Sequence, residues 1–155
     1  MTVEAAVAPS IEVQASPPAE YVLDAFALLA YLRREPGWRE VRALLLDAEK
    51  QRAYLSMCVI NLGEVLYMTE RRKGAEQARA VLGYVEQLPL ESVDADRPLV
   101  LRAARVKASH PISYADAFAV ALAQRLDAPV VTGDPEFRSV EEVVRVRWLG
   151  PEADP

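Results

Sequence analysis

Short apolar runs alternate with longer helical stretches along this chain, and that alternation restricts the fold more than any other feature. The runs are "YVLD" (21–24), "AYLSMCVI" (53–60), "APVVTGD" (128–134) and "VVRVRWL" (143–149), with "LESV" as a brief further strand candidate. Between them, apolar residues recur at helical spacing. In "WREVRALLLDAEK" they fall at Trp38, Val41, Leu44 and Leu45, and in "AEQARAVLGYVEQL" at Ala78, Val81, Leu82, Val85 and Leu88. Further helices are expected over "AFALLAYLRRE", "NLGEVLYMTERRK", "DRPLVLRAARVKAS" and residues 113–126. Strands separated by helices require right-handed crossovers, so they line up parallel, with helices covering both faces. The expected fold is therefore α/β: a three-layer α/β/α sandwich around a central parallel sheet of four or five strands. The alternation in the last run suggests an edge strand.

In such a sheet the strand-to-helix turns gather at the carboxyl edge, where ligands bind. An acid stands at or near four of these turns. Asp24 ends the first run, Glu64 lies in the first turn or so of the helix after the second, Asp116 is in the first turn of its helix, and Asp134 follows "PVVT". Helix capping is the plain alternative for each. "SYAD" places Ser113 at a cap with Asp116 three residues on, "NLGE" sets Asn61 and Glu64 in the same relation, and Asp24 and Asp134 can cap directly. The flanks weigh against capping alone. "VLDAFALL", "INLGEVLY" and "YADAFAV" are apolar, so the acids should be desolvated as well as close together. Both effects oppose ionisation. A hard divalent cation such as Mg²⁺ or Mn²⁺ removes that opposition and leaves room for water and phosphate oxygens. The residues thus suggest Asp24, Glu64, Asp116 and Asp134 as metal ligands.

Other chemistries fit less well. One cysteine, Cys58, and one histidine, His110, cannot make an internal disulfide or a Cys/His zinc site. The first twenty residues hold no Lys or Arg, and no apolar run is long enough to span a bilayer. A cytoplasmic chain with no membrane partner is expected. Residues 1–20, rich in Ala, Pro and Ser, are expected to be a flexible tail, 21–149 the one domain, and 150–155 a C-terminal tail. The formal net charge of -5 disfavours nonspecific nucleic-acid binding. Basic residues cluster nonetheless at Arg33 and Arg34, at Arg71, Arg72 and Lys73, and at Arg102, Arg105 and Lys107. A solvated helix face is the plain reading of each cluster.

"YVLDAFALLAYL", "INLGEVLY", "ISYADAFAVALA" and "APVVTGDPEF", in this order and spacing, resemble the four acidic motifs of PIN-domain ribonucleases, especially VapC-type toxins of toxin–antitoxin pairs. The resemblance runs from residue 21 to about 149. It implies a Mg²⁺- or Mn²⁺-dependent endoribonuclease, a homodimer, and a small cognate antitoxin encoded beside it. Asp24, Glu64, Asp116 and Asp134 would be the catalytic and metal-binding quartet, with Thr132 in support. RNA hydrolysis would need no covalent intermediate. Surrounding arginines, with Arg33, Arg34, Arg71 and Arg72 as candidates, would hold the RNA. Apolar stripes on the helices at 25–35, 38–49 and 75–88 would leave a groove for an antitoxin helix. One departure stands out: the family often has Ser or Thr two residues after the first Asp, where this chain has Phe26. A catalytically silent PIN domain that binds RNA or protein is the alternative. A haloacid-dehalogenase-type phosphatase would need an Asp at position 26, and a receiver domain a Lys after a late strand; neither is present.

Overall fold

The computed structural model describes residues 5–10 and 16–151. Its elements are β1 (Ala19–Leu23), α1 (Ala25–Arg33), α2 (Trp38–Glu49), β2 (Ala53–Cys58), α3 (Val59–Lys73), α4 (Ala75–Val85), β3 (Glu91–Val93), α5 (Arg97–Ser109), α6 (Tyr114–Leu126), β4 (Val130–Thr132), a short 3-10 helix (Pro135–Val140) and β5 (Val146–Trp148). The five strands form one sheet in the order β3-β2-β1-β4-β5, every pair parallel. The expected three-layer sandwich is therefore present in its five-stranded form.

Side-chain alternation along the strands builds the layers. Val22, Cys58 and Val130 point to a core completed by α5, α6 and the 3-10 helix through Leu99, Ala103, Phe118, Val120, Leu122 and Phe137. Their neighbours Leu23, Met57 and Val131 point the other way, to α1–α4 through Leu28, Val41, Leu44, Leu62, Val65 and Val85. Helix α6 is buried from Asp116 to Ala123, which accounts for its apolar composition on all sides. No helix among the described residues is long and apolar enough to cross a membrane.

Several boundaries differ from the sequence reading, each for a physical reason. β1 starts at Ala19, because Ala19 and Glu20 pair with Ala53 and Tyr54; residues 1–4 and 11–15 of the expected N-terminal tail, and 152–155 of the C-terminal one, lie outside the described residues. The second strand stops at Cys58, where its pairing with Val93 of β3 ends, so Val59 and Ile60 belong to α3. Asn61 is consequently the third residue of α3 and not its cap, and Glu64 lies in the second turn. α1 ends at Arg33, with Arg34 in the left-handed conformation as its C-cap. The last strands shrink to three residues each because the 3-10 helix and the turn after it occupy 135–144. β5 does take the expected edge.

Candidate metal centre

The strand order reverses direction at β1: the chain runs outward through β2 and β3, then returns to lay β4 on the other side of β1. This switch point opens a crevice at the carboxyl ends of β1 and β4. Asp24 leaves β1 there, and Asp134 follows β4 by two residues. α6 brings Asp116 and α3 brings Glu64 to the same place, so all four acids line one cavity of about 260 Å³. Glu136, on the 3-10 helix, lines it too. Sequence reasoning passed over Glu136; its only signal was a second carboxylate two residues beyond Asp134.

Each acid is held by local structure. Asp24 caps α1: its Oδ1 accepts from the Ala27 amide at 2.8 Å. Its Oδ2 accepts from the Thr132 hydroxyl at 2.5 Å, and the same hydroxyl oxygen accepts from the Asp134 amide at 3.0 Å. Thr132 thereby ties the end of β1 to the loop after β4. Asp134 caps the 3-10 helix through the Glu136 amide at 2.9 Å. In α6 it is Ser113 that caps, accepting from the Asp116 amide at 3.1 Å. Asn61, buried in α3, donates to the Ala115 carbonyl at 2.9 Å and so fixes α3 against the turn that carries Asp116. The capping interactions are real, and they occupy only part of the carboxylate oxygens.

The electrostatics are unfavourable to five negative charges. Asp24 is 1% exposed. Burial pushes its pKa up to about 8, against the lowering effect of the Thr132 and Ala27 hydrogen bonds, and the charges of Asp116 and Asp134 add to the rise. Asp116 is 8% exposed. It is pushed up to about 6, first by burial and then, despite its Ser113 hydrogen bond, by Asp134, Glu64 and Glu136. Glu64 is also raised, by burial and then by Asp134. One of its oxygens, Oε2, is buried without a hydrogen-bond partner. A buried carboxylate oxygen without a donor is costly.

A hard divalent cation suits this donor set. Asp116, Asp134 and Glu136 each offer an oxygen within 4.8 Å of the others, and Asp24 and Glu64 line the same cavity without joining that group. All five donors are carboxylates, which favours Mg²⁺ or Mn²⁺ over softer metals. An ion held there would offset the carboxylate charges that add to the effect of burial on Asp116 and Asp24; the orphaned Glu64 oxygen lies outside that group and remains open to a second ion or to water.

The four candidate arginines separate. Arg33 and Arg72 line a cavity of about 330 Å³ together with Lys73 and Thr69. Leu29 forms part of the wall of both this cavity and the acidic one, so the two adjoin along α1 and α3. Arg34 instead faces a cavity of about 370 Å³ between α1, α2 and α4, lined also by Tyr31, Trp38, Arg42 and Tyr84. Arg71 lies over the Tyr67 ring, 4.9 Å from its centroid.

Comparison with known proteins is consistent with this geometry. The family model described as PIN domain matches residues 21–143. No curated protein matches the chain by sequence. Among solved structures, the chain is similar to a DNA-bound VapBC from Salmonella typhimurium, with a TM-score of 0.65, 20% identity, and coverage of 85% of this chain and 99% of that one. It is also similar to VapBC2 from Rickettsia felis bound to a DNA fragment from their promoter, with a TM-score of 0.63, 18% identity, and coverage of 83% and 98%. A third is Mycobacterium tuberculosis VapC20, a Sarcin-Ricin loop cleaving toxin, with a TM-score of 0.63, 17% identity, and coverage of 82% and 98%. At these identities the likeness is one of fold.

Proposed function

The chain belongs to the PIN domain family, and from that premise we propose that it is a Mg²⁺- or Mn²⁺-dependent endoribonuclease, the toxin of a VapBC-type pair, acting in the cytoplasm as a homodimer. The observation that carries this reading is the gathering of Asp24, Glu64, Asp116, Asp134 and Glu136 around one cavity at the switch point, with a buried Glu64 oxygen left unpaired. Asp116, Asp134 and Glu136 would hold one ion, and Asp24 and Glu64 complete the site or hold a second. When bound, the metal supplies Lewis-acid charge that offsets the carboxylates, activates water and stabilises an in-line displacement at phosphorus. Thr132 keeps Asp24 and the Asp134 loop in fixed relation. Glu64, with one oxygen free of protein donors, would bind the second ion or orient the attacking water. No side chain need bond to the phosphorus.

RNA reaches the cavity along α1 and α3. Both helices begin near the acidic crevice and end at the cations: Asp24 caps α1 and Arg33 closes it, while Glu64 lies on α3 two turns before Arg72. At about 1.5 Å per residue this sets the cations roughly 12 Å from the acids, a span of a few nucleotides. Arg33, Arg72 and Lys73 are accordingly the phosphate contacts. The cavity between α1, α2 and α4, with three aromatic rings and two arginines, is the antitoxin site, and its lining favours a helix with acidic as well as apolar side chains.

Labelled single-stranded RNA incubated with Mn²⁺, with and without chelator, tests the activity. Cleavage that chelator abolishes and Asp116→Asn reduces at least ~100-fold supports the assignment. RNA that is bound yet left intact with Mn²⁺ would favour the silent binding module. Co-purification with the product of the adjacent gene, weakened by Trp38→Ala, tests the partner.

A further inference from the structure

Phe26 occupies an odd position. It is the second residue of α1, two past Asp24, and the one aromatic ring among the residues lining the acidic cavity. Its side chain is 40% exposed. A single exposed ring on a protein surface needs no explanation, but this ring has a built seat. A Cβ placed on Gly133 would stand 2.4 Å from Cε1 of Phe26, 2.9 Å from Cζ and 3.2 Å from Cδ1. The first two distances are shorter than real Cβ contacts allow. Gly133 is not among the positive-φ glycines, which are Gly37 and Gly74, so its backbone could carry a side chain without strain. What the missing Cβ permits is the close approach of one ring edge to the loop between Thr132 and Asp134.

The Cδ1–Cε1–Cζ edge of the ring thus lies against the loop at Gly133 while part of its surface stays open to solvent beside five carboxylates. That wall offers a phosphate nothing, since it carries no charge and no donor. It offers a nucleobase a π-face, and unpaired bases of single-stranded RNA stack on aromatic rings with little regard to sequence. We propose that Phe26, seated on Gly133, is the stacking platform for the unpaired base next to the scissile phosphate. This rests on the RNA-cleaving reading of the cavity. The stacked base sets the neighbouring phosphodiester over Asp116 and Asp134, and selects single-stranded segments, because a base inside a duplex is already stacked on both faces.

The test uses the full chain and a single-stranded RNA oligonucleotide carrying 2-aminopurine at each position in turn, read by fluorescence in Mg²⁺ with the cleavage-impaired Asp116→Asn chain. Quenching confined to one position beside the cut site is expected, lost in Phe26→Leu and kept in Phe26→Trp. In cleavage by the otherwise wild-type chain, Phe26→Leu should raise KM about tenfold on intact RNA. Removing the base at the quenched position should cost wild type the same factor and cost Phe26→Leu nothing further. An equal loss for Phe26→Leu on intact and abasic RNA would mean that the ring only braces the Asp134 loop, and would overturn the proposal. Quenching at no position, because the ring is covered by another protein surface, would overturn it as well. Position-specific quenching by a wild-type chain that cuts no RNA would support the stacking platform while defeating the nuclease reading.

Discussion

Replacing Asp116 by Asn separates a metal ligand from a helix-capping acid by the sign of a stability change. In the metal-free chain Asp116 is raised from an ordinary 3.8 to about 6. Between those values the unfolded chain has released a proton that the folded chain still holds, so wild-type stability falls as pH rises through that window. A carboxyl whose pKa is one higher in the folded than in the unfolded chain costs about 1.4 kcal/mol once both are ionised, so by pH 7 the Asp116 side chain costs on the order of 3 kcal/mol. Asn removes that cost. The hydrogen bond from the Asp116 amide to Ser113 involves the backbone and survives, and the lost attraction to the α6 N-terminus is about 0.3–1 kcal/mol. The net expectation is a variant about 2 kcal/mol more stable in chelator at pH 7, or roughly 4–8 °C for a domain of this size. The difference should fade as pH falls through 3.8 and level off above about 6; because the Asp116 charge also raises Asp24, the curve carries the relief of Asp24 along with the loss of Asp116. Saturating Mn²⁺ should reverse the order, since an ion at a hundred times its Kd stabilises wild type by about 2.7 kcal/mol. Thermal melts over a pH series, with chelator and with Mn²⁺, make the measurement. A variant less stable than wild type in chelator throughout, and equally stabilised by Mn²⁺, would refute the reasoning.

Thr132→Val should lower stability by about 1–3 kcal/mol in urea titrations, because it strips a partner from the Asp24 carboxyl and from the Asp134 amide at once. It should also push the Asp24 pKa further up, since the hydroxyl lowers it; a carboxyl NMR titration reads this, and a downward shift would exclude the assigned donor. Arg33→Gln and Arg72→Gln should each reduce the salt slope of RNA binding by about one. Arg34→Gln should leave that slope unchanged and weaken antitoxin binding instead, and the opposite pattern would reassign the two cavities.

The gathering of the four acids was legible because parallel strands leave their carboxyl ends on one edge, and each acid followed or neighboured such an end. The finer errors have local causes. "NLGE" satisfies a capping pattern, yet α3 had already begun at Val59, and a hydrogen bond to the Ala115 carbonyl claims Asn61. No pattern within residues 58–64 reveals a partner on another helix. Glu136 followed a proline after Asp134, and only the fold shows that the first turn of the 3-10 helix holds it beside Asp134 at the cavity. The division of the arginines was not legible: Arg34 leaves α1 as its left-handed C-cap, and the Tyr67 ring sits under Arg71 while Arg72 and Lys73 share a cavity.

The strand order also sets a timetable for synthesis. Thr132 and Asp24, which bond across the β1–β4 seam, are 108 residues apart in the chain. A nascent chain that ends before β4 has α1, α2 and α4 but no seam, and lacks Asp134 and Glu136. Ribosomes add about 5 to 20 residues per second, so several seconds separate the translation of Val85, at the end of α4, from that of Glu136. The residues that line the cavity between α1, α2 and α4 are thus complete before Asp116, Asp134 and Glu136, three of the five acids around the acidic cavity, have been made. On the function proposed above, an antitoxin translated alongside would meet its docking residues before the acidic site is complete.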